Sequence, residues 1–163
     1  MICCVTGHRP EGFPFIRNEA EQKYIEYLTA LSITIEALIQ EGYDHFITGM
    51  AGGADLDFAR LVLQHKSTYP HIILEAALPY PNRSHKHIRD TAIERSSVLA
   101  RCDHVQEVSP SYHQGCMQKR NIFMVNKSDL VLAIWNGTEK GGTWNTIRYA
   151  RRQGKTIRYV FLA

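Results

Sequence analysis

The chain has no long apolar run, no metal-like cysteine spacing and no standard nucleotide-binding signature, and each absence narrows what it can do. No stretch approaches the roughly 18 apolar residues that a membrane helix needs, so no membrane association is expected. The N-terminus carries no basic segment followed by an apolar one, so no secretory leader is expected either. The four cysteines of the 163 residues stand at positions 3, 4, 102 and 116. That spacing fits no zinc site and reads as buried free thiols in a reducing, cytoplasmic compartment. G-x-x-x-x-G-K-[ST] is missing, which excludes a Walker-type phosphate loop. The first strand is not followed by G-x-G-x-x-G, which excludes an ordinary NAD fingerprint. There is no repeat, linker or low-complexity tract.

What remains is an ordinary globular composition, 44% hydrophobic and 21% charged, in a chain long enough for one domain with a real core. The net charge of +3 is unevenly spread: residues 1–81 hold 5 Lys/Arg against 10 Asp/Glu, and residues 82–163 hold 14 against 6. A basic half can meet phosphates; solvated helix faces such as "RYARRQGK" explain much of the same excess.

Periodicity orders the chain. Ile2-Cys3-Cys4-Val5 is a continuous apolar run, the mark of a strand buried on both faces. Residues 18–41 carry Tyr24, Leu28, Leu31, Ile35 and Leu38 at helical spacing, with Asn18 and Glu21 as a capping-box-like start and Gly42 as the stop. The pattern then predicts strands at 44–48, 71–78, 103–108, 129–135 and 156–162. Helices are predicted at 54–66, about 85–100, 115–127 and 143–153. Six strands alternating with helices predict an α/β fold: a single-domain, Rossmann-like, doubly wound and mainly parallel sheet with helices on both faces.

The unusual residues collect where strands end, the edge at which open α/β sheets bind ligands. "TGHRP" leaves the first strand, "TGMAGGAD" the second and "WNGTEKGGTWN" the fifth. Glycines leading into a helix leave its first amides unpaired beside the positive end of its dipole, a ready anion site. Each loop also has a plain structural reading, with glycine as the default turn residue and Asp55 or Thr143 as helix caps. Trp135 and Trp144 flank the last loop, where one could stack on a base, although Trp135 at a strand end suits core packing. His85 and His87 are two potential metal ligands without a third, so no metal is expected.

Together "TGHRP", "TGMAGGAD", "RNIFMVNKSDLVLAIWNG" and "GGTWNTIRYA" resemble the YpsA-like branch of the SLOG superfamily. That superfamily joins the LOG (Lonely Guy) cytokinin-activating enzymes and the Smf/DprA DNA-processing proteins. The resemblance implies a Rossmann-like fold whose loops hold a nucleotide or nucleotide-derived ligand, with NAD or ADP-ribose among the candidates. Candidate binding residues are Thr6, Gly7, His8 and Arg9 after the first strand, and Gly49, Met50, Ala51, Gly53 and Asp55 after the second. To these are added Arg120 and Asn121 on the helix before the fifth strand, and Gly137, Gly141, Gly142, Thr143 and Asn145 beyond it. Arg120 also reads as a helix-to-helix ion pair. LOG enzymes, which cleave the N-glycosidic bond of nucleoside 5′-monophosphates, place carboxylates where this chain has Asn145 and Thr146. Neither residue can stabilise an oxocarbenium-like charge as a carboxylate does. The other nearby carboxylates are Glu11, Asp55 and Glu139. Three readings follow: a nucleotide-binding sensor or regulator, a LOG-type hydrolase, and a weak, DprA-like binder of single-stranded DNA. The sequence leaves a homodimer open.

Overall fold

In the computed structural model, which describes residues 1–81 and 89–163, six strands alternate with five α-helices. The strands are β1 (Ile2–Gly7), β2 (His45–Thr48), β3 (Ile73–Leu78), β4 (His104–Glu107), β5 (Leu130–Trp135) and β6 (Thr156–Phe161). The helices are α1 (Gln22–Gln40), α2 (Ala54–His65), α3 (Arg89–Ala100), α4 (Cys116–Lys127) and α5 (Gly141–Arg152). All the strands run parallel, in the order β4-β3-β2-β1-β5-β6. The expected doubly wound α/β fold is the observed one.

The chain builds outward from β1 to β4, then crosses back to add β5 on the other side of β1. The order therefore reverses between β1 and β5, whose carboxyl ends flank a crevice. Both strands are buried on two faces, as their unbroken apolar runs require. Cys3, Val5, Leu130, Leu132 and Ile134 pack with α1 and α2, while Cys4 and Val131 pack with α4 and α5. Among the described residues no helix is long and apolar enough to cross a membrane.

Two helix starts differ from the sequence expectation. Helix α1 begins at Gln22, not at 18, with Glu21 as a cap residue that makes no side-chain bond. Asn18 instead folds a local turn, accepting the Ala20 N–H on Oδ1 at 2.9 Å, a competing use of an Asn side chain that ends short of a helix. Helix α5 begins at Gly141, two residues before the expected start, so Thr143 is its third residue and not its cap. The expected start of α3 at about 85 lies outside the described residues.

A buried carboxylate ties the α1–α2 layer together. Asp57 is fully buried and accepts hydrogen bonds from Tyr24 (2.9 Å), Tyr27 (3.2 Å), Arg17 (2.6 Å) and Arg60 (2.7 Å). Burial of such a charge is tolerable only with partners on both oxygens.

Candidate functional site

The loops at the carboxyl edge are packed backbone against backbone. After Gly7 the chain turns through His8 and Arg9 into a short 3-10 helix, Pro10–Gly12. The Ala54 N–H donates to the His8 carbonyl at 3.0 Å, docking this turn on the start of α2. Gly53, at φ +87°, permits the approach, because a Cβ there would lie 2.5 Å from that carbonyl oxygen.

The β2–α2 loop is folded more tightly still. Met50 adopts a left-handed conformation (φ +59°), which costs a non-glycine residue energy that its surroundings must supply. Its carbonyl accepts from Arg95 Nε at 2.9 Å, and its N–H donates to Thr48 Oγ1 at 3.2 Å. Arg120 reaches across from α4, donating through Nη1 to the carbonyls of Gly49 and, at 3.4 Å, Ala77. Its Nε donates to Asn121 Oδ1 at 2.8 Å. A Cβ on Gly49 would stand 2.7 Å from the Arg120 guanidinium and 2.8 Å from Asp55 Oδ2. Glycine is required here so that two buried charged side chains can come close.

These elements enclose a cavity of about 290 Å³ at the β1–β5 crevice. Thr6, Gly7, His8 and Arg9 form one wall, Ala51 and Asp55 another, Arg120 and Asn121 a third, and Gly142 and Thr143 the last. Thr6, Asp55, Arg120 and Thr143 are each no more than 7% exposed. Among the described residues no hydrogen bond is made by Thr6 Oγ1, Asp55 Oδ1, Arg120 Nη2 or Thr143 Oγ1. His8 Nε2 is, among the described residues, both unpartnered and fully buried. Arg9 is exposed and makes no ion pair among the described residues. A fully buried polar atom is almost always satisfied, which makes His8 Nε2 an exception among the residues that line this cavity.

The cavity is lined by two arginines, Arg9 and Arg120, and two carboxylates, Glu11 and Asp55. Burial pushes the Asp55 carboxyl up to about 6, against the pull of Arg120, the Ala51 N–H and Arg9. Asp55 is the second residue of α2 and bonds the Ala51 N–H, at 3.3 Å, outside the helix; the helix-cap reading of the sequence does not describe it. Burial lowers the pKa of Arg120, and the positive charges of Arg9 and Arg95 lower it further. Burial also lowers the pKa of His8, favouring a neutral ring that can donate or accept. The first turns of α2, α4 and α5 all contribute cavity residues, which aims three positive dipole ends at the same space.

With this geometry in place, comparison with known proteins is informative. The family model for the YspA SLOG family matches residues 3–161. The chain belongs to that family. A UPF0398 protein of Halalkalibacterium halodurans is 24% identical over 151 residues, covering 91% of this chain and 74% of that one. A UPF0398 protein of Bacillus thuringiensis is 22% identical over 161 residues, covering 97% and 86%. Among solved structures, DNA processing protein A from Helicobacter pylori superposes with a TM-score of 0.64 at 15% identity, and its structure is described for its single-stranded DNA binding mode. The match takes in 98% of this SLOG-family chain, which spans 64% of the length of that protein.

Six of the residues marked from sequence do not line the cavity. Gly49, Met50 and Gly53 shape the loop behind Asp55, and Gly137 and Gly141 hold positive φ in open surroundings. Asn145 is exposed. Thr146, at the other position where a LOG enzyme has a carboxylate, is buried and donates to the Gly142 carbonyl at 3.0 Å. Glu139 is exposed, whereas Glu11 lines the cavity. Trp135 and Trp144 stack on each other, with centroids 5.4 Å apart and planes at 8°. Neither lines the cavity, so the base-stacking reading of this pair gives way to packing of α5 on the sheet. The Arg120 expectation of a helix-to-helix ion pair is replaced by bonds to backbone carbonyls. His85 and His87 lie outside the described residues. Val5, Gly12 and Met117 also line the cavity. No motif marks them, and only their closeness to strand ends or a helix start could have suggested them.

Proposed function

We propose that this SLOG-family chain binds a phosphate-bearing nucleotide or nucleotide-derived ligand in the β1–β5 cavity, as a sensor or regulator. The observation that carries the reading is the set of unpaired polar atoms on residues that are otherwise buried. An anion seated between Arg9, Arg120 Nη2 and the uncapped start of α5 satisfies the donors among them at once. Such charge-assisted bonds are the strong ones, and the guanidinium fork suits phosphate geometry. With Asn145 exposed and Thr146 bonded internally, the LOG arrangement of carboxylates is not reproduced, which supports binding over glycosidic hydrolysis.

The test is calorimetric titration with AMP, ADP-ribose, NAD and adenosine. At least one phosphate ligand should bind in the micromolar to low millimolar range, and adenosine more weakly. Arg9→Ala should weaken AMP by about 10-fold or more while leaving adenosine nearly unchanged, because a charge-assisted pair contributes only when the phosphate is present. No binding of any of the three phosphate ligands at millimolar concentration refutes the reading.

A second reading, weak binding of single-stranded DNA, is favoured by the fold shared with the Helicobacter pylori protein and by the basic second half of the chain. Filter binding of an oligothymidine at 50 and 200 mM salt should then show a steep loss of affinity. Tight binding that salt leaves unchanged would contradict a contact made through phosphates.

A further inference from the structure

The unpaired atoms of the cavity are of two kinds, and a bare phosphate satisfies only one of them. Arg9, Arg120 Nη2 and the first amides of α5 donate. Asp55, once ionised, only accepts. Its Oδ2 takes the Ala51 N–H at 3.3 Å; among the described residues Oδ1 takes nothing, and the charges of Arg120 and Arg9 act on the carboxylate without forming an ion pair with it. An inorganic phosphate or a polyphosphate chain would leave this carboxylate oxygen facing a second anion. A ligand that carries hydroxyl donors close to its phosphate meets both requirements.

We infer that the cavity recognises a nucleotide by its sugar as well as its phosphate, with Asp55 accepting a hydrogen bond from a ribose 2′- or 3′-hydroxyl while Arg9, Arg120 and the start of α5 hold the phosphate. The inference rests on the phosphate reading of the site given above. The volume agrees with it. About 290 Å³ lies at the bottom of the range of small-molecule pockets, roughly 300–1,000 Å³. That suits a sugar phosphate inside with the base towards the mouth, and it is small for a whole dinucleotide. The neighbouring groups also fit a diol: Thr6 Oγ1 and the neutral His8 Nε2 can each donate or accept. Where the 2′-hydroxyl is the partner, Asp55 also separates RNA-type from DNA-type ligands.

Calorimetric titration at about pH 7.5 of the wild-type chain with AMP, 2′-deoxy-AMP and 3′-deoxy-AMP tests the inference without any variant. One of the deoxy ligands should bind about 10- to 100-fold more weakly than AMP, the range for a lost hydrogen bond to a charged acceptor. In Asp55→Ala, with folding checked by its circular dichroism melt, the three ligands should converge to within about threefold. If that variant fails to fold, Asp55→Asn serves: its neutral amide oxygen still accepts, so the discrimination should shrink without vanishing. Equal binding of all three ligands by the wild type overturns the inference and leaves the phosphate reading standing. Discrimination that persists undiminished in a folded Asp55 variant overturns the assignment to this residue. Failure of wild type to bind AMP at all overturns the inference, and failure of ADP-ribose and NAD as well removes the phosphate reading beneath it.

Discussion

Replacing Gly142 by alanine should strengthen the fold and weaken the site. Gly142 is the second residue of α5, and a Cβ built on it meets no heavy atom within 4 Å. Nothing in the protein therefore resists the methyl group, and alanine is favoured over glycine in a helix by up to about 1 kcal/mol. For a chain of this length that corresponds to a rise in Tm of about 2–4 °C. Gly142 lines the cavity, and on the proposed reading the methyl would hold an anion off the helix amides. Loss of one charge-assisted hydrogen bond is about 1.5–3 kcal/mol, or 10- to 100-fold in Kd. Gly49→Ala should behave oppositely in the first respect and alike in the second. Its Cβ would fall 2.7 Å from the Arg120 guanidinium and 2.8 Å from Asp55 Oδ2, so both buried groups must shift, at about 1–3 kcal/mol. Thermal melts and calorimetric titration with AMP on the two variants decide the matter. A Gly142→Ala protein with raised Tm and wild-type affinity would refute the start of α5 as the anion seat.

Three further outcomes are expected. Thr143→Asp places a carboxylate in the first turn of α5, where it suits the dipole, so Tm should hold or rise slightly. A phosphate about 4 Å away would be repelled by roughly 4 kcal/mol at an intermediate dielectric, so AMP binding should be lost, and retained affinity in titration would contradict the site. The pKa of Asp55, raised from 3.8 to about 6, lies above its unfolded value. Its contribution to stability is therefore fully present below about pH 4 and lost as pH rises through 6, by about 3 kcal/mol at most. Urea titrations of wild type and Asp55→Asn between pH 4 and 7 should show the variant gaining on wild type across that window; a constant difference would show that Asp55 is not desolvated. Asp57→Ala leaves two tyrosines and two arginines without their shared acceptor and should cost about 3–5 kcal/mol in urea unfolding. AMP affinity should be unchanged where the variant is folded.

The fold was legible in the sequence because its signals are local and repeated. Unbroken apolar runs mark β1 and β5, and the stripe from Tyr24 to Leu38 marks α1. The starts of α1 and α5 were less legible, since Asn18 serves equally as a helix cap or as a turn residue, and only the folded chain decides which. The site was half legible for a related reason. Strand ends marked Thr6 to Arg9, Asp55 and Gly142, but the approach of Arg120 to Gly49 joins residues 71 positions apart, and no spacing encodes it. Glycine shows the limit most plainly. In the sequence Gly49, Gly53 and Gly142 look alike, three small residues where strands give way to helices. In the folded chain a Cβ on Gly49 would strike buried charges, one on Gly53 would strike the His8 carbonyl, and one on Gly142 would enter open space. The first two glycines make room for the protein itself. Only the third leaves room for something else, and that difference is the reason for proposing the start of α5, rather than the more glycine-rich loop before α2, as the anion seat.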